Sequence, residues 1–164
     1  MKHQISTSST CKINANDAWD ELKRFSIPHK YISFLQNTII IGNQSSGLGA
    51  TRRVFTKYSY MDETITDWKE GKGFTLKLHK NKKYPYPFSS ATFTYQITPI
   101  NENSCELIGT FQYSIGFGVI GRIINQLFLG IIIRFNIRRV IMGLETYLSS
   151  VSYTHLTLPT IYSV

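Results

Sequence analysis

Residues 2–13 alternate strictly between two faces. Ile5, Thr7, Ser9, Cys11 and Ile13 fall on one, and Lys2, Gln4, Ser6, Ser8 and Lys12 on the other. A two-residue period of this kind predicts a half-buried strand. Asn14 or Asn16 can then accept from free amides as an N-cap, with Asp17 suited to the positive start of a helix. That short helix runs to about Phe25 and buries Ala18, Trp19, Leu22 and Phe25. Pro28 opens a second helical turn carrying His29 and Tyr31, since proline is tolerated at the first helical position.

From about Leu35 the period returns to two. The apolar run 38–41 leads into a glycine- and serine-containing loop, 42–49, and then a β-branched and aromatic stretch, 50–60. A turn is expected at Met61-Asp62, followed by strand 63–70, a Gly71-Lys72-Gly73 turn, and strand 74–80 with Phe74, Leu76 and Leu78 inward. After a loop at 81–88 with two prolines, 91–100 puts Ala91, Phe93, Tyr95 and Ile97 on one face. A turn at 101–104 precedes 105–115, which groups Leu107, Phe111 and Tyr113. Sequential strands joined by short turns predict an antiparallel meander.

The final element changes period again. Ile120, Ile123, Ile124, Leu127, Phe128, Ile131, Phe135, Ile141, Leu144 and Leu148 recur at helical intervals behind Gly116, Gly118 and Gly121. About thirty residues of helix extend roughly 45 Å, enough to cross a whole sheet. The order is therefore β-α-α-β6-α, an α+β helix-grip arrangement of about seven strands around a long C-terminal helix. A strongly bent sheet cannot lie flush along a straight helix, so large side chains or a ligand must fill the gap. A filled core fits the periodicity as well as a hollow one does.

Composition narrows the class without naming a function. The chain has 164 residues, 42% hydrophobic and 17% charged, which is one globular domain with a real core. Ten Phe, ten Tyr and two Trp suit both a core and a pocket wall. The net charge of +8 favours anionic partners, although basic residues scattered along the chain also serve simply as a solubilising surface. Cys11 and Cys105 have no spacing typical of zinc sites or disulfide frameworks and are expected to be reduced, as in a cytoplasmic protein. Residues 1–10 lack an apolar signal region. The greasiest run, 123–133, is too short to span a bilayer. No histidine pair has metal-ligand spacing, and neither metal nor cofactor is expected.

Specific segments resemble one family. Ile13-x-Ala15-x-x-Ala18-Trp19-x-x-Leu22-x-x-Phe25, then Gly47-x-Gly49-x-x-Arg52, then Glu63-x-Ile65 resemble the SRPBCC (START-like, polyketide cyclase and lipid transport) superfamily over about residues 2–148. The resemblance implies a hydrophobic pocket between sheet and last helix. Members include polyketide cyclases, sterol and lipid carriers and quinone-binding proteins. The expected pocket comprises Trp19, Tyr31, Arg52, Glu63, Trp68, Leu76, Leu78, Phe93, Tyr95, Phe111, Tyr113, Ile124, Leu127, Phe128, Ile131 and Phe135. The expected function is binding or transport of a lipid-, quinone- or polyketide-like molecule. The alternatives are a cyclase or dehydratase and an RNA- or ribosome-interacting protein.

Several residues carry two readings. Arg52 and Glu63 lie on neighbouring strands and form either a buried pair that orients a ligand or a rim salt bridge. Glu63 and Tyr95 are the inward acid/base candidates if chemistry occurs, while an inward Tyr also serves as a hydrogen-bonded core residue. Gly47-Leu48-Gly49 is followed by Ala-Thr-Arg, not by the Gly-Lys-Ser/Thr of a phosphate loop, and is expected to shape a loop at the pocket mouth. His29 is placed near the entrance, and His79 faces solvent by alternation. Lys77, Lys80, Lys82 and Lys83 with Tyr84, Tyr86 and Phe88 suit an anionic membrane or single-stranded nucleic acid, or a solvated loop whose rings fold back over the core. Arg134, Arg138 and Arg139 occupy the polar side of the last helix. Residues 151–160 resemble the translation of a transposase-type sequencing adapter, so the expected domain is 1–150, with 151–164 a non-native tail excluded from fold reasoning.

Overall fold

The computed structural model describes residues 2–79, 88–115 and 128–156, with side chains through residue 152. β1 (Lys2–Cys11) is followed by α1 (Ala15–Leu22) and α2 (Pro28–Tyr31). Then come β2 (Asn37–Ile41), β3 (Thr51–Phe55), β4 (Tyr60–Lys69), β5 (Gly73–Leu78), β6 (Phe88–Asn101) and β7 (Ser104–Ile115), and finally α3 (Gly130–Leu156). The seven strands make one curved antiparallel sheet in the order β1-β7-β6-β5-β4-β3-β2. This is the α+β helix-grip architecture that the pattern of periods predicts.

Local chemistry sets each boundary. Asn14 caps α1 by accepting from the Asp17 amide at 2.9 Å. Pro28 stands in the first turn of α2, where its missing N–H is harmless. At the β4–β5 turn Gly71 has φ +71° and Gly73 φ +142°. A Cβ on Gly73 would come within 2.0 Å of the Tyr95 carbonyl oxygen on β6, so only glycine fits.

The helix rests chiefly on β1 and β7. Ser9 on β1 donates to the Glu145 carboxylate at 2.6 Å. Gly109 on β7 leaves room for Ile141, whose Cδ1 would sit 2.7 Å from any Cβ there. Cys11 and Cys105 face one another across β1 and β7, buried and free. α1 covers one end of the sheet through an aromatic cluster in which Trp19, Trp68, Phe25 and Phe74 have ring centroids 4.9–6.4 Å apart. The remaining concave surface, over β3 to β6, is left to the first half of α3.

Two expectations change. The β3–β4 turn lies at residues 56–59, four positions earlier than Met61-Asp62, and both of those residues belong to β4. Thr56 makes the turn without glycine: its hydroxyl accepts from the Ser59 amide at 3.0 Å and its amide donates to the Ser59 carbonyl at 2.8 Å. The buried stripe of α3 is Ile133, Ile137, Val140, Ile141, Leu144 and Leu148. Phe128, Ile131 and Phe135 face outward. Phe135 and Ile141 are six residues apart, which places them about 120° apart around a helix; the expected stripe changed face between them.

Candidate functional site

Between the concave sheet and α3 lies a cavity of about 480 Å³. Native interiors contain few voids larger than a water molecule, whereas ligand sites run from about 300 to 1,000 Å³. Every element around it contributes by simple alternation: Val54 from β3, Met61 and Glu63 from β4, Leu76 and Leu78 from β5, Phe93 and Tyr95 from β6, and Phe111 from β7. The helix and the turn leading into it supply Leu129, Ile132, Ile133, Asn136, Ile137 and Val140. Ile32, Phe34 and Leu35 enter from the segment after α2. The wall is overwhelmingly aliphatic and aromatic.

One region of the wall carries charge. Arg52 is 2% exposed, and it is held by three groups behind the cavity wall. Its Nε donates to Glu63 Oε2 at 2.7 Å, and its Nη1 donates to the Phe25 carbonyl at 3.0 Å. Its guanidinium lies 4.3 Å from the centroid of the Phe25 ring. Burial opposes the Arg52 charge, but neighbouring Glu63 more than restores it, leaving the guanidinium more basic than usual. Burial also pushes the Tyr31 and Tyr95 phenols up, Tyr95 the further, so both stay protonated as donors. Their hydroxyls are 3.5 Å apart. Glu63 and Tyr95 reach the cavity surface. The chamber therefore has an apolar body and a carboxylate and phenol braced by a buried arginine.

The expected site residues divide accordingly. Glu63, Leu76, Leu78, Phe93, Tyr95 and Phe111 line the cavity. Arg52 and Tyr31 stand immediately behind it. Trp19 and Trp68 do not line it, because α1 packs them on Phe74 and the Glu70 carboxylate accepts from both indole N–H groups at 2.8 Å. Tyr113 turns toward β1, stacked on His3 at 5.2 Å. Phe128, Ile131 and Phe135 leave the site with the change of helix face, and Ile124 and Leu127 lie outside the described residues. Lys80, Lys82, Lys83, Tyr84 and Tyr86 also lie outside them. Phe88 packs inward on Phe111 and Tyr113 at 5.5 and 5.1 Å.

Gly47 and Gly49 have φ +86° and +88° and shape a loop in which Gln44 donates to the Ser46 and Leu48 carbonyls at 3.0 and 2.7 Å. No residue of that loop lines the cavity, which corrects its expected place at the mouth. His29 does not line it either; its Nδ1 is buried without a hydrogen-bond partner. His79 is half-buried and pairs with Thr64 at 2.8 Å, so alternation alone overstated its exposure. A second depression, about 570 Å³, runs over Lys69, Lys72, Thr75, Thr94 and Thr98. Its walls are mostly solvent-facing strand side chains, and we take it as relief on a twisted sheet.

Residues that the sequence reading missed include Val54, Met61, Ile133, Ile137 and Val140. Val54 follows from Arg52 by alternation, and Met61 from Glu63 once the turn is moved. Ile133 and Ile137 follow by counting back in fours from Ile141.

Comparison with solved structures identifies the architecture. The aromatase/cyclase Zhui from Streptomyces sp. R1128 superposes with a TM-score of 0.73 at 7% identity, covering 100% of both chains. A START superfamily protein from Mycobacterium smegmatis gives 0.68 at 12% identity, over 91% of this chain and 99% of its own. The fold is the helix-grip fold of these two structures. The same helix-grip fold is shared by Ara h 8.0201, with a TM-score of 0.69 at 12% identity over 92% of this chain and 99% of the other. No family sequence profile matches the chain, and no curated protein matches it in sequence.

Proposed function

We propose that this START-like chain binds and carries an apolar small molecule, lipid-, quinone- or polyketide-like, whose hydrogen-bonding end meets Glu63 and Tyr95. The observation that carries this reading is the 480 Å³ chamber, greasy along its body and polar at the Arg52–Glu63–Tyr95 end. A neutral phenol donates to a carbonyl and a carboxylate accepts from a hydroxyl, so an oxygenated head on a hydrophobic body is the matching chemistry. Burying the body supplies affinity through the hydrophobic effect, and the head sets orientation. A reducing cytoplasmic setting suits the two free thiols.

Native mass spectrometry of the purified chain tests this reading. A co-purifying apolar mass is expected, and it should disappear in a Val54→Phe/Val140→Phe double variant that fills the chamber while keeping the native circular dichroism. An empty wild-type protein that also fails to bind fatty acid, quinone and polyketide probes would end the carrier reading.

A cyclase reading is favoured by one observation, that both acid/base candidates reach the cavity. Against it, Glu63 is committed to Arg52, and the raised Tyr95 pKa makes that phenol a poor base. Turnover of an aromatic polyketide mimic, abolished by Glu63→Gln with binding retained, would decide for the enzyme.

A further inference from the structure

The outer face of α3 is apolar where surface helices are ordinarily polar. Directly opposite the core stripe, Ile131 and Phe135 are 67% and 61% exposed, Phe128 in the turn leading into α3 is 66% exposed, and Met142 continues the row. Spacings of three, four and seven keep these side chains on one face. Single exposed apolar residues are normal, but a contiguous row marks an interaction surface.

Arg134, Arg138 and Arg139 flank that row. The first turn of α3 carries no acid, and none of the three arginines is in an ion pair among the described residues. Arg139 lies over the Phe34 and Phe135 rings at 5.8 and 5.6 Å and donates to Ser33 Oγ at 2.7 Å. The row is also continuous with the chamber: Ile132 and Phe34 are 55% and 39% exposed, yet both line the cavity. No helix among the described residues is long and apolar enough to cross a membrane, so this face suits lying on a bilayer, not spanning one.

We propose that the outer face of α3 docks on an anionic lipid membrane. Phe128, Ile131 and Phe135 enter the headgroup–acyl boundary, and Arg134, Arg138 and Arg139 meet lipid phosphates. This orientation brings the cavity's edge, at Ile132 and Phe34, down to the bilayer surface. Collection or discharge of the cargo there rests on the carrier reading; docking itself rests on the helix face alone. The net charge of +8 adds long-range attraction to such a surface. A second copy of the chain is a poorer occupant, because two-fold pairing of the face would set one arginine trio against its twin.

Vesicle flotation tests the proposal with the full chain. Binding is expected to phosphatidylcholine vesicles containing phosphatidylserine, to be weak on phosphatidylcholine alone, and to fall as salt rises. Arg134→Gln/Arg138→Gln should reduce partitioning roughly thirtyfold. Ile131→Ser/Phe135→Ser should reduce it by at least about tenfold, and both variants should melt as the wild type does because the replaced side chains are exposed. The Val54→Phe/Val140→Phe variant should lose cargo and keep vesicle binding, which separates failure of the carrier reading from failure of docking. Absence of binding to anionic vesicles overturns the proposal. So does a wild-type dimer in solution that Ile131→Ser/Phe135→Ser converts to monomer, since the face would then belong to a second copy.

Discussion

Arg52 and Glu63 stand directly opposite one another on β3 and β4, joined by a 2.7 Å charge-assisted bond beside the chamber. Removing one member of a buried pair strands the other without water, at a cost of about 3–5 kcal/mol, whereas apolar replacement of both is close to neutral. Arg52→Met and Glu63→Leu singly should therefore lower the urea midpoint sharply. The double variant should recover most of the loss while binding oxygenated ligands more weakly than pure hydrocarbons. Additive losses in the double variant would show that the pair is not coupled.

That pairing depends on a turn that the sequence hides. Two residues facing across a hairpin have a constant sum of numbers, and a turn centred on Lys57-Tyr58 sets Arg52 against Glu63. A turn at Met61-Asp62 would leave them on adjacent strands but out of register. Thr56, Tyr58 and Tyr60 are strong strand formers by type, and the backbone and side-chain hydrogen bonds between Thr56 and Ser59 override them. The same limit applies to α3. Its two apolar faces, Phe128–Ile131–Phe135 outside and Ile133–Ile137–Ile141 inside, each obey the helical period, so spacing cannot tell core from surface. Strand alternation, by contrast, placed Glu63, Leu76, Leu78, Phe93, Tyr95 and Phe111 on the concave face, because each neighbouring strand restates the same inside and outside. The Trp19 and Trp68 placements depended on where α1 lands, which is a tertiary fact.

Gly143 holds α2 against α3. A Cβ there would fall 2.0 Å from the Tyr31 carbonyl oxygen, which is backbone and cannot swing aside. Gly143→Ala should thus destabilise by about 1–3 kcal/mol despite the better helix propensity of alanine. Displacing Tyr31 should also weaken ligand binding through Tyr95. Gly42 is the control: its φ is +83° but nothing lies within 4 Å of an added Cβ. Gly42→Ala should cost only the left-handed strain, about 1–2 kcal/mol, with binding unchanged. Urea denaturation and ligand titration of the two variants separate these effects.

Glu70 ties α1 to the sheet by accepting from Trp19 and Trp68 at once. These bonds, first from Trp19 and then from Trp68, hold its carboxyl below the ordinary 4.5. A depressed carboxylate pKa gives stability that is present above the unfolded value and lost as pH falls through the folded one. Indole emission should therefore shift to the red as pH falls below about 4.5. Glu70→Gln, with one amide oxygen for two donors, should show part of that shift already at neutral pH and lose this acid transition. Identical acid profiles for the two proteins would remove Glu70 from the account.

The thiols respond at the other end of the scale. Burial, aided by the neighbouring Cys11, pushes the Cys105 thiol up to about 11, and burial raises Cys11 as well. The folded state thus prefers both neutral. A group whose folded pKa is raised contributes its full stability below the unfolded value, near 9.0, and loses that contribution as pH climbs toward the folded one. At pH 8 neither cysteine should react with iodoacetamide until the chain is unfolded in urea, because the reactive species is the thiolate. Between pH 9 and 11 the melting temperature should decline, and Cys105→Ala should flatten that decline while lowering stability at neutral pH by about 1 kcal/mol. Rapid labelling of Cys11 or Cys105 at pH 8 with the native circular dichroism intact would mean that the β1–β7 edge opens to solvent, and the burial argument for both thiols would fail together.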